Sequence, residues 1–215
     1  MNIQNTQQIN AGRYVVPTIE ERTNLGIRTI DPYSKLYSDR VIFLATSVDA
    51  VSAMDITTQL LALETADEDA EITLYINSPG GSMSDMTMII DTIQLIKPPV
   101  STICLGSASS AAAVLLAAGE KGSRFSLPNG RVMIHQPRIG GAGGMQASDI
   151  QIHAKEITRH RQWMIDFLSK RTGQDVEKIN QDVERDLYMS AEEALEYGII
   201  DGIIGMTEDT IVVKL

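Results

Sequence analysis

The sequence predicts an α/β fold built on a largely parallel sheet. Two observations carry this. Short apolar or alternating segments rich in β-branched residues recur along the 215 residues, and segments with apolar residues at helical spacing stand between them. The strand candidates at 72–76, 100–105 and 131–135 also end in dense turn signals, which gathers their exits at the carboxyl edge of the sheet, where α/β proteins usually place their sites.

The elements follow in order. Residues 1–13 are polar and rich in Asn and Gln, and are expected to form a flexible arm or a removable leader. A domain boundary at 15/16 leaves 16–215 as one domain, since no internal repeat or long linker follows. Residues 41–44 are a short apolar run, expected as a strand. Residues 52–64 carry the helical period. Residues 72–76 alternate and read as a strand, ending in Asn77-Ser78-Pro79-Gly80-Gly81. Residues 82–96 are helical again and stop at Pro98-Pro99. Residues 100–105 read as a buried strand, Gly106 as the start of a turn, and 110–118 as an alanine-rich helix closed by Gly119. Residues 131–135 read as a strand ended by Pro137, and 140–144 as a glycine-rich loop. Residues 148–170 form a long helix with Ile150, Ile157 and Met164 on one stripe, closed at Thr172-Gly173. Ser190-Ala191-Glu192-Glu193 is a capping box that opens a short helix running to Tyr197, with Gly198 as its stop.

Composition excludes several classes. There are 18 Lys and Arg against 28 Asp and Glu, a net charge of −10, so nucleic acid is not expected as a partner. One cysteine, Cys104, rules out an internal disulfide and, with three histidines, makes a dedicated metal site unexpected. The N-terminus has neither a basic n-region nor an apolar h-region, and no apolar run approaches the ~20 residues of a membrane span. A cytoplasmic protein without membrane contact is expected.

Three segments carry candidate chemistry. His153 and His160 lie seven apart within the long helix and read as a partly exposed face. His135 instead sits at a strand exit beside Gln136-Pro137, placed either as a structural histidine or as a general base. Residues 106–112 join a buried strand to a small-residue helix. A serine there is either a plain N-cap or a nucleophile, with free backbone N–H groups at hand for an oxyanion. Ser107, Ser109 and Ser110 are all candidates from the residues alone. No glycine follows them, so this is not a G-x-S-x-G elbow. Gly80-Gly81 is either an ordinary turn or a second source of unobstructed N–H groups.

These segments occur together in one known family. Ile76-Asn77-Ser78-Pro79-Gly80-Gly81, residues 106–112 and Arg131-Val132-Met133-Ile134-His135-Gln136-Pro137 resemble the signatures of the Clp protease proteolytic subunit family, ClpP. Residues 40–44, Glu184-Arg185-Asp186 and 190–198 resemble it too, and the likeness covers about residues 16–205. It implies a ClpP/crotonase-like fold of stacked β-α-β units, with the long helix as a protruding handle. By that register Ser110 resembles the nucleophile, His135 the general base and Asp186 the acid that orients it, where spacing alone leaves Asp182 open. Gly81 and Ala111 resemble the oxyanion-hole positions, and Tyr75 a position in the pocket where a partner docks. Ser107, Ser109, Ala111 and Ala112 stand where the family commonly has Gln, Ala, Met and Gly, and the loop at 140–144 is about two residues longer.

The resemblance implies a serine endopeptidase that cuts unfolded proteins to short peptides inside a barrel-shaped chamber of two stacked seven-membered rings. The partners it implies are an AAA+ unfoldase of the ClpX, ClpC or ClpA type and, in some organisms, a second ClpP-type subunit. No cofactor is expected in this chain. The sequence has no G-x-x-x-x-G-K-[ST] loop, so ATP falls to the unfoldase. The alternatives are a catalytically weak or silent subunit of a mixed ring and a crotonase-type acyl-CoA enzyme.

Overall fold

The computed structural model describes residues 17–23, 26–138, 146–207 and 210–214. The predicted arm and the glycine-rich loop at 140–144 lie outside the described residues. Those described divide into two compact units, one up to Arg40 and one from Val41 onward. In the first, β1 (Ile19–Thr23) and β2 (Gly26–Ile30) pair antiparallel, with Ile19 opposite Ile30. Then α1 (Pro32–Ser38) begins with proline at its first turn, and the Asp31 side chain accepts from the N–H groups of Tyr33 and Ser34.

The second unit has the predicted alternation. It runs β3 (Val41–Leu44), α2 (Ala50–Ala66), β4 (Ile72–Ser78), α3 (Met83–Leu95), β5 (Val100–Ser109) and α4 (Ala111–Ala118). β6 (Arg124–Ser126), β7 (Arg131–Ile134), α5 (Ala147–Thr172), α6 (Val176–Asp182) and β8 (Leu187–Met189) follow. The chain ends with α7 (Ala191–Tyr197), β9 (Gly202–Thr207) and β10 (Thr210–Lys214). The sheet order is β10-β9-β6-β5-β4-β3. Pairing is parallel from β9 to β3 and antiparallel only at β9–β10 and β7–β8.

The core lies on both faces of this sheet. Ile72, Leu74 and Ile76 of β4 are fully buried at every second position, as the period of a strand requires. All eight residues of α4 are buried, which is what a helix apolar on every side needs. Its last carbonyls, orphaned by the helix end, accept from the Arg171 guanidinium at Ala117, Ala118 and Gly119. Arg124 in turn donates to Asp201 through Nε at 2.7 Å and to the Arg171 carbonyl at 2.9 Å, so β6, the entry to β9 and the end of α5 share one buried polar knot.

One boundary differs from expectation by more than two residues. Gly106 does not end β5; the strand continues to Ser109. Its first half pairs with β6, and its second half, Ser107 to Ser109, pairs with Arg131 to Met133 of β7. Long-range pairing outweighs the local glycine signal, and the missing side chain gives room for Asn77, whose Oδ1 accepts from the Ser107 N–H at 3.1 Å.

Candidate active site

Ser110 stands where β5 turns into α4, with φ 57° and ψ −124°. A residue with a Cβ seldom adopts this conformation, and it persists only where its surroundings fix it. Here the Ser110 N–H donates to the Met133 carbonyl at 2.7 Å, and its own carbonyl accepts from Ala113 at 3.0 Å and Val114 at 3.3 Å. The side chain makes no capping bond, so Ser110 is not a plain N-cap serine. Its Oγ lies 2.8 Å from Nε2 of His135. Ser107 and Ser109 differ: their hydroxyls bond to each other at 3.1 Å.

His135 follows β7, whose other neighbour is β8, the strand that begins right after Asp186. The pairing of Ile134 with Leu187 thus brings the predicted acid beside the predicted base, 51 residues apart in sequence. Asp186 Oδ1 is 3.7 Å from His135 Nδ1, too long for a hydrogen bond. That same oxygen accepts from Nη2 of Arg138. His135 Nδ1 is buried and has no hydrogen-bond partner among the described residues. Asp182, the other carboxylate open from spacing, accepts from Tyr197 at 2.8 Å and Lys178 at 2.5 Å instead.

The electrostatics favour a neutral imidazole. Burial lowers the His135 pKa most, the Arg138 charge lowers it further, and Asp186 opposes both. A neutral ring with its proton on Nδ1 presents the Nε2 lone pair to the Ser110 hydroxyl.

Gly80 and Gly81 close the site from β4. A side chain at Gly80 would meet the Ser109 carbonyl at 2.4 Å, Ser110 Cβ at 2.7 Å and Ala111 N at 2.9 Å, and its φ of 87° suits glycine. Val48 donates to the Gly80 carbonyl at 2.9 Å and accepts from Ser82 at 2.8 Å. This parallel bridge leaves the Gly81 N–H on the opposite side. Ala111 is the first residue of α4, so its N–H has no partner within the helix.

Gly81, Ser110, Ala111, His135 and Asp186 line one cleft of about 650 Å³. Tyr75 is not part of it; its ring is half-buried and stacks on Phe43, with centroids 5.4 Å apart. Two features of the cleft went unread in the sequence. His153 and His160 of α5 line it, though the sequence marks them only as a partly exposed face. Arg138 also lines it, and its only sequence signal is a positive charge three residues after the candidate base. Among the described residues no cluster of three His, Cys, Asp or Glu is arranged for a metal ion, and no helix is long and apolar enough to cross a membrane. A serine hydroxyl within reach of an imidazole whose charged form is disfavoured is an arrangement that acyl transfer can use.

Comparison with known proteins gives a consistent picture. The family model described as Clp protease matches residues 23–207. The chain is 52% identical over 198 residues to the ATP-dependent Clp protease proteolytic subunit 1 of Bifidobacterium longum (strain NCC 2705), covering 92% of this chain and 84% of that protein. It is 49% identical over 192 residues to the proteolytic subunit 1 of Tropheryma whipplei (strain Twist), covering 89% and 93%. It is 53% identical over 192 residues to the proteolytic subunit 2 of Streptomyces coelicolor (strain ATCC BAA-471 / A3(2) / M145), covering 89% and 88%.

Proposed function

The chain belongs to the Clp protease family, and on that premise we propose that it is a serine endopeptidase acting through Ser110, His135 and Asp186. The observation that carries this is the 2.8 Å contact between Ser110 Oγ and His135 Nε2, made by a serine held at φ 57° on a strand-to-helix turn.

The steps follow from the geometry. Ser110 Oγ attacks a peptide carbonyl carbon as its proton passes to His135 Nε2. The N–H groups of Gly81 and Ala111 receive the oxyanion. His135 returns the proton to the amine as the C–N bond breaks; a water, deprotonated by the same imidazole, then attacks the acyl carbon, and His135 passes that proton to Ser110 Oγ as the acid leaves. Asp186 stabilises the imidazolium and fixes the ring orientation. This chemistry needs no cofactor in this chain.

The substrates are unfolded polypeptides, and the chain works in the cytoplasm inside stacked heptameric rings. The relatives' names carry "ATP-dependent" and "proteolytic subunit", which fits an AAA+ unfoldase as the partner that spends ATP. Tyr75, stacked on Phe43 away from the cleft, is our candidate for its docking surface. A second reading, a catalytically weak subunit of a mixed ring, is favoured by one observation: Asp186 is bonded to Arg138 and stands 3.7 Å from His135.

Hydrolysis of a short fluorogenic peptide and labelling by a fluorophosphonate test the assignment. Ser110→Ala is expected to abolish both, a loss on the order of 10⁶ in turnover, while Ser107→Ala and Ser109→Ala keep most of the activity. Asp186→Asn is expected to cost roughly 10⁴, and Asp182→Asn far less. Full activity in Ser110→Ala would overturn the nucleophile, and a reversed order of the aspartates would overturn the acid.

A further inference from the structure

The mechanism does not use Arg138, yet Arg138 holds the carboxylate that the mechanism uses. One oxygen, Asp186 Oδ1, faces two donors. It is bonded to the Arg138 guanidinium, and it stands 3.7 Å from His135 Nδ1, which is left buried and unpartnered. We propose that Arg138 is a carboxylate-recognising residue of the substrate cleft, and that an acidic side chain of the bound polypeptide takes Arg138 from Asp186 and so frees Asp186 to accept the Nδ1–H of His135. This rests on the peptidase reading of the site, and it names a substrate preference within it.

Three points support the exchange. The Arg138 side chain is 66% exposed and lines the cleft beside Ser110 and His135, so a bound chain can reach it. An ion pair this open contributes little net stability, because water competes for both partners, so replacing one carboxylate by another costs little. A buried N–H without an acceptor is, by contrast, a standing penalty that closure of Asp186 onto His135 removes. The planar guanidinium is also the side chain best shaped to take a carboxylate through two parallel N–H bonds. A neutral substrate leaves Arg138 competing with His135 for Asp186, so the orienting contact is made only part of the time. An acidic one completes the set of three.

The experiment uses the full chain in its assembled state, as wild type, Arg138→Gln, Arg138→Lys and Ser110→Ala. Fluorogenic peptides differing only in one Glu against Gln, moved through the positions on either side of the scissile bond, give kcat/KM. An uncharged fluorophosphonate gives the labelling rate of Ser110. At one or more positions the Glu peptide is expected to be cleaved about tenfold faster by wild type, the size of one charge-assisted hydrogen bond. Arg138→Gln should erase that ratio, and should raise both neutral-peptide cleavage and labelling several-fold. Arg138→Lys should keep part of the ratio. A wild-type ratio near one at every position overturns the proposal. So does an Arg138→Gln variant that loses neutral cleavage and labelling as Asp186→Asn does, since Arg138 would then serve only to hold Asp186 in place. Where peptide turnover falls below detection the labelling rates decide alone, and a rate in Arg138→Gln equal to or below wild type counts against the exchange. Ser110→Ala separates the two levels: if it still cleaves and labels, the peptidase reading fails, and if it is silent while Arg138→Gln behaves as wild type, only the exchange fails.

Discussion

His135, the proposed base, sits where its charged form is disfavoured. Burial is the largest cause and the Arg138 charge the next, with Asp186 pulling the other way. Glu156, His153 and His160 of α5 line the same cleft. The sign for activity follows. In the proposed mechanism the neutral ring is the active form, so activity is expected to be lost as pH falls through a midpoint below the ordinary histidine value of about 6.5. A pH profile of kcat/KM between about 5 and 8 measures that limb, and an acid midpoint at or above the ordinary value would contradict the burial argument. Arg138→Gln removes one of the depressing charges, so its midpoint is expected to move up. The sequence already carried His135, because only one of three histidines follows an apolar strand. Choosing among three serines and between two aspartates needed more. Ser107 and Ser109 lie on a strand and bond to each other, and Asp182 is held by Tyr197 and Lys178, facts of tertiary placement that no local pattern encodes. Arg138 was missed for the same reason: its meaning lies in Asp186, 48 residues away.

The strand-to-helix turn that presents Ser110 stores strain, and that strain is measurable. At φ 57° an Ala is as awkward as a Ser, while a Gly is at ease. Relief of such a conformation is worth about 1–3 kcal/mol, and the extra freedom of Gly in the unfolded chain takes back roughly 0.5–1 kcal/mol. Ser110→Gly is therefore expected to be more stable than Ser110→Ala by about 1 kcal/mol, although both are inactive. Urea midpoints at equal protomer concentration give the difference. Equal midpoints would mean that the turn is not strained. The long elements around this turn were legible in sequence. α2, β4, α3 and α5 each carry a period, the last three with a stop, and the capping box of α7 is present, with Ser190 accepting from the Glu193 N–H at 3.2 Å. The unread elements are mostly short. β6 and β8 have three residues each and α6 has seven, and such segments owe their form to neighbours across the sheet rather than to their own pattern. The second half of β5 was lost for a related reason, since Gly106 reads locally as a break and is paired globally as strand.

At the scale of the whole molecule, α5 is longer than its own fold uses. Its stripe runs from buried Met164 through half-buried Ile157 to Ile150, which is 49% exposed, and Ile152, about 200° further round the helix, is 64% exposed. Every residue from 147 to 156 is exposed. Two isoleucines on a bare helical end are costly to leave in water, and burying each side chain is worth about 1.5–3 kcal/mol. In a family whose relatives are named as subunits, a second copy of this chain is the natural cover, and the purified chain is expected to self-associate. The same half of α5 lines the cleft through His153 and Glu156, so assembly and activity should be linked. Ile150→Glu combined with Ile152→Glu puts a carboxylate at each of these two exposed apolar positions. It should shift the chain to a smaller species by size-exclusion chromatography with light scattering, leave the helical circular dichroism intact, and lower peptide cleavage by at least tenfold, more than Ser110→Ala disturbs assembly. In the assembled form the chain alone should cut short peptides slowly or not at all, and leave a folded protein whole until an unfoldase and ATP are supplied. A monomeric wild-type chain with full peptidase activity, or a double variant that assembles as wild type does, would show that the exposed end of α5 has another use.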